Sequence, residues 1–116
     1  MLKIYTLSNC DTCRAAVQWL RARGAEFEER AIRETPPTLA ELRAALAAHG
    51  GEVRRLFNTA GREYRAQNLA AKLPALDDAA ALALLAGNGS LVKRPFLVAG
   101  KAARAGFDEK AWSAMI

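Results

Sequence analysis

A chain of 116 residues, 52% hydrophobic and 25% charged, has the size and composition of one globular domain that buries a core without disulfide staples. It contains no apolar run near the ~20 residues that span a bilayer and no secretory leader pattern, so a monomeric cytoplasmic protein with no membrane partner is expected. The formal net charge of +5 fits an anionic partner, yet Arg21, Arg23, Arg43, Arg54, Arg55, Arg62 and Arg65 are scattered and not interleaved with aromatics. That pattern argues against a nucleic-acid stacking surface and leaves the charge free to attract a small oxyanion.

Leu2-Lys3-Ile4-Tyr5-Thr6 alternates and predicts a strand over residues 2–7. Ala15, Ala16, Val17, Trp19 and Leu20 recur at helical spacing and predict an amphipathic helix over 12–23, closed by Gly24 as a left-handed cap residue. Residues 26–32 read as a second strand with Phe27 and Ile32 facing inward. Strand, helix and strand make a right-handed crossover with the strands parallel, and ligand sites of open α/β sheets gather at the carboxyl edge of such strands.

Glu34-Thr35-Pro36-Pro37 breaks regular structure. Thr38 followed by Glu41 is a capping box, and Leu39, Leu42 and Leu46 carry a helix to about His49, where Gly50-Gly51 stops it. His49 is read as a favourable charge at that helix end rather than as a catalytic base. Val53 to Leu69 reads as a less regular connector with a short helical turn around Val53–Phe57 and a turn at Asn58-Thr59-Ala60-Gly61. Asp77-Asp78 opens a further helix, and Gly87-Asn88-Gly89 closes it.

Lys93-Arg94-Pro95 stands directly before an apolar strand; Gly100-Lys101 turns the chain into a second one, and Asp108 caps a last helix carrying Ala111, Trp112 and Met115. The order predicts an α/β, thioredoxin-like fold in one domain: a central mixed sheet of about four strands from residues 1–34 and 90–116, with a helical insertion over 35–89. In that fold the proline opening the hairpin is commonly cis and faces the active-site cysteine, so Pro95 would face Cys10 and Arg94 would reach its sulfur; the alternative is an exposed arginine at a strand edge.

Both cysteines lie in Ser8-Asn9-Cys10-Asp11-Thr12-Cys13, between the first strand and the first helix. Cys10 falls at the helix N-cap, where unpaired N–H groups and the helix dipole favour a thiolate. The dipole supplies only about 0.3–1 kcal/mol at an exposed site, so a cation is expected to approach from elsewhere in the chain. Cys13, one turn further in, is placed to resolve an intermediate formed at Cys10. Two inert buried cysteines, or half of a zinc site, are the other readings; His49 is the only histidine and no second cysteine pair exists, which leaves a closed metal site short of ligands.

Tyr5 through Cys10, Glu34-Thr35-Pro36-Pro37-Thr38 with Glu41-Leu42, Lys93-Arg94-Pro95, and Gly106-Phe107 together resemble the family of the glutaredoxin-coupled arsenate reductases and the Spx-type regulators. The resemblance implies Cys10 as the nucleophile toward arsenate and Arg94 as its oxyanion partner, with glutathione as co-substrate, glutaredoxin or thioredoxin as reducing partner, and no bound cofactor or metal. It also implies a substrate-binding set of Asn9, Asp11, Thr12, Asn58, Arg94, Pro95 and Arg104. Asn58 stands where those reductases have a second arginine, Arg104 is an off-register candidate for a third, and Thr6 replaces a histidine. Asn58-Thr59-Ala60-Gly61 with Tyr64-Arg65 is similar to the YffB branch, a thiol-reductase type linked to glutathione. The CxxC is similar to the Spx branch, in which the pair is a redox switch and the partner is the C-terminal domain of the RNA polymerase alpha subunit.

Overall fold

A computed structural model describes residues 1–116. The first alternating segment forms β1 (Leu2–Thr6), which sends Ile4 to one face of the sheet and Tyr5 to the other. It is followed by α1 (Asp11–Ala22) and β2 (Phe27–Ala31). β2 runs parallel to β1 in a register from Leu2 opposite Phe27 to Thr6 opposite Ala31. After the long insertion come β3 (Phe96–Ala99), antiparallel to β1, and β4 (Ala102–Ala105), antiparallel to β3, giving the order β2-β1-β3-β4.

Every regular element between β2 and β3 is helical. α2 (Leu39–Ala48) begins with the capping box: Thr38 Oγ1 accepts from the Glu41 N–H, and Glu41 accepts from the Thr38 N–H. A 3₁₀ turn at Val53–Leu56, then α3 (Arg62–Ala66), α4 (Leu69–Lys72), a 3₁₀ turn at Leu73–Ala75, α5 (Asp78–Gly87) and a 3₁₀ turn at Gly89–Leu91 complete the insertion, and α6 (Glu109–Met115) ends the chain. No helix is long and apolar enough to cross a membrane.

The sheet separates two apolar clusters. On one face Ile4 and Leu97 meet Ala16, Val17 and Leu20 of α1 and Trp112 of α6, whose indole N–H donates to Gly106 O at 3.0 Å. On the other face Tyr5, Phe96 and Val98 join Leu42, Leu82 and Leu85 in the larger cluster. Burying each large side chain of these clusters contributes about 1.5–3 kcal/mol.

The structure corrects three expectations. The stretch from Val53 to Leu69 has the expected helical turn at its start but is more regular than expected, because α3 lies inside it and α4 starts at its end. Both helices are too short to carry a period; α3 is held by tertiary contacts, with buried Tyr64 edge-on to Phe57 at 6.1 Å and the Arg65 guanidinium on Ala60 O at 3.0 Å. Ile32 faces inward as expected, but from just beyond the strand, its N–H bonded to Thr6 O at 2.9 Å. His49 is not a solvated charge at the end of α2: it is buried, and its Nε2 accepts the Ala105 N–H of β4 at 3.1 Å.

Candidate active site

The carboxyl edge of β1 delivers the chain through an exposed Ser8-Asn9 turn to Cys10, which keeps extended backbone angles (φ −133°, ψ 111°) and caps α1. Its Sγ takes the place that an oxygen usually fills in an N-cap, accepting the Cys13 N–H at 3.1 Å. Both cysteines are free, Cys10 half-buried and Cys13 2% exposed. Burial pushes the Cys13 thiol up to about 12, and the neighbouring Cys10 sulfur pushes the same way, against the Leu7 backbone and the Arg94 charge. Cys13 is therefore protonated at neutral pH, one turn behind the half-buried Cys10.

Arg94 reaches this pair from the far end of the chain. The Arg94–Pro95 peptide is cis and Pro95 is buried, its carbonyl accepting the Gly106 N–H at 2.8 Å. The half-buried guanidinium donates through Nη1 to Ser90 O and Val92 O, both at 3.3 Å. Burial and the charge of Arg33 lower its pKa, whereas Cys10 and Cys13 raise it.

The remaining predicted residues divide into two groups. Asn9, Asp11 and Thr12 are exposed around Cys10; Asp11 pairs with Arg14, which also donates to Ser8 O at 3.3 Å and so ties the loop to α1. Of the other two, Asn58 is tied by its main chain to the Gly89–Leu91 turn that holds Arg94, its N–H donating to Leu91 O at 2.7 Å, and Arg104 Nη1 donates to Ala48 O at 3.4 Å. Thr6 is buried and donates to Glu29 at 2.6 Å. No three His, Cys, Asp or Glu side chains converge as metal ligands. Arg33, which no motif marks, leaves the sheet at the edge where Cys10 lies, because β1 and β2 pair in parallel.

A family model described as the ArsC family matches residues 5–115. The chain is 40% identical to the uncharacterized protein YusI of Bacillus subtilis (strain 168), covering 93% of this chain and 92% of that protein. It is 30% identical to the global transcriptional regulator Spx of Enterococcus faecalis, covering 94% of this chain and 81% of that protein. Among solved structures, one described as a possible arsenate reductase from Streptococcus mutans UA159 superposes with a TM-score of 0.88 at 34% identity, covering 97% of this chain and 98% of the other. A structure named as a YffB protein superposes with a TM-score of 0.79 at 29% identity, covering 99% of this chain and 98% of the other. A model match over nearly the whole length, on a sheet and a cysteine loop of this form, means that the chain belongs to the ArsC family.

Proposed function

We propose that the chain is a thiol-based oxidoreductase in which Cys10 is the nucleophile, Cys13 the resolving thiol and Arg94 the cation that stabilises charge beside them. The observation that carries this is the inequality of the two thiols: Cys10 is only half-buried with its sulfur on a peptide N–H, and Cys13 is buried, which pushes its thiol up to about 12. On a disulfide, the Cys10 thiolate attacks one sulfur, forms a mixed disulfide and expels the other half as a thiolate. Cys13 loses its proton to that leaving thiolate and attacks Cys10 Sγ, releasing the second half and leaving a Cys10–Cys13 disulfide. Two glutathione molecules, directly or through glutaredoxin or thioredoxin, return the pair to thiols and leave as glutathione disulfide.

On arsenate, the same thiolate attacks arsenic and displaces water. A second thiol then attacks Cys10 Sγ, the S–As electron pair stays on arsenic, and arsenite leaves; arsenate and two thiols have become arsenite, one disulfide and water. Arg94 suits both substrates, because a guanidinium fork matches a tetrahedral oxyanion and lowers the energy of a thiolate. Asn9, Asp11, Thr12 and Pro95 border the attacked group; Asn58 joins through the turn that also holds Arg94, and Arg104, bonded to Ala48 O, stands farther off.

Turnover of arsenate and of glutathione-linked disulfides, measured with glutathione and glutaredoxin, is expected in the wild-type chain and absent in Cys10→Ser. Cys13→Ser is expected to accumulate a mixed adduct at Cys10, read by intact-protein mass. Turnover that survives Cys10→Ser overturns the assignment. A second reading, a redox-responsive regulator that binds the C-terminal domain of the RNA polymerase alpha subunit, is supported by the likeness to Spx and by the CxxC pair. Binding of that domain, together with no turnover in any thiol couple, selects it.

A further inference from the structure

The register of the sheet brings a second cation to the cysteine loop. Because Thr6 pairs with Ala31, β1 and β2 leave the sheet at one edge, the first toward Ser8 and Cys10, the second toward Ile32 and Arg33. The 3₁₀ turn at Gly89–Leu91 presses on this exit: a Cβ on Gly89 would lie 1.8 Å from Ile32 O and 3.1 Å from Arg33 Cα. The same turn supplies Ser90 O to the Arg94 guanidinium. Three segments distant in sequence thus bring Arg33 and Arg94 together at the sheet edge that leads to Cys10, close enough for the Arg33 charge to be felt at Arg94.

Arg33 is exposed, and none of the four ion pairs of the molecule includes it or Arg94. Two guanidiniums near each other with no carboxylate between them repel, and an anion held by both relieves that repulsion while accepting charge-assisted hydrogen bonds. A distant solvated arginine would leave the approach of an anion to Cys10 unchanged; an arm of a clamp would favour it.

We propose that Arg33 and Arg94 form an anion clamp beside Cys10, and that Arg33 makes the site selective for substrates presenting a negatively charged oxygen group next to the attacked atom. The shared ligand chemistry is that of a tetrahedral oxyanion or of a carboxylate carried on a thiol half, as in glutathione disulfide. This rests on Cys10 as the nucleophile proposed above. Arg33 acts on substrate charge, whereas Arg94 also acts on the sulfur.

The test compares alkylation of Cys10 by anionic iodoacetate and neutral iodoacetamide, each displacing iodide with the thiolate, followed by mass spectrometry of the Cys10 peptide. In Arg33→Ala the ratio of the iodoacetate rate to the iodoacetamide rate is expected to fall about 2–5-fold, the scale of one exposed charge contact, and Arg33→Lys is expected to restore it. Inorganic phosphate and glutathione disulfide, added separately as competitors, identify which anion source the clamp holds by which one loses its protection of Cys10 in Arg33→Ala. A ratio unchanged in Arg33→Ala but lowered in Arg94→Ala overturns the clamp and leaves Cys10 as nucleophile intact. Cys10 that resists both reagents instead overturns the function on which the clamp rests.

Discussion

The single histidine shows how one side chain can be decided by a contact far away in the sequence. His49 and Ala105 stand 56 positions apart, and the Ala105 N–H fixes Nε2 as the acceptor, so the proton of the neutral ring sits on Nδ1. Burial lowers its pKa, and the charges of Arg104, Arg55 and Lys93 act in the same direction. The unfolded chain, with a histidine near 6.5, therefore binds a proton that the folded chain refuses. Stability should be independent of this group above that pH and decline as pH falls below it toward the folded value, by at most about 1.4 kcal/mol per pH unit. Urea titrations across this range should show that decline in the wild type and lose it in His49→Gln, which keeps an acceptor for Ala105 without a titrating ring. Nothing local to the Leu39–His49 segment announces this, because a helix-end histidine looks the same in sequence whether it meets water or a strand.

At the scale of elements, the parts legible in the sequence are those whose ends carry their own chemistry. Thr38, Asp77 and Asp108 each cap a helix as expected, with side-chain oxygens accepting from Glu41, Ala80 and Ala111. Glu41 does more than its capping box implies, since it also accepts from Tyr5 at 2.6 Å and pairs with Lys3 at 2.6 Å, fastening the start of α2 to β1. α3 was not legible, because its five residues depend on Tyr64 finding Phe57 rather than on any period. Gly89 is a further case: close approach to the Ile32 carbonyl, not a left-handed backbone, demands glycine there. Gly89→Ala should cost about 1–3 kcal/mol in chemical denaturation, as overpacking does. Because the displaced turn also holds Arg94, the alkylation of Cys10 should slow in the same variant.

Across the whole molecule, the sheet order places the cysteine loop, the exit of β2 and the Arg94–Pro95 segment at a common edge. Cys10, Cys13 and Arg94 were legible because a helix start, a CxxC and a proline before a strand each have a local signature. Arg33 had none, and only the pairing register reveals it. That register also leaves two outer strands, β2 and β4, and each is finished differently. β2 carries Glu28, Glu29 and Arg30, with Arg30 bonded to Glu28 at 2.7 Å, while the Ala105 N–H of β4 is occupied by an imidazole. Charge on one border and a plugged donor on the other deny a template to strands of neighbouring copies, a common route to fibrous self-association. His49→Ala withdraws the plug from the β4 border; static light scattering should then report association that the wild type and His49→Gln resist.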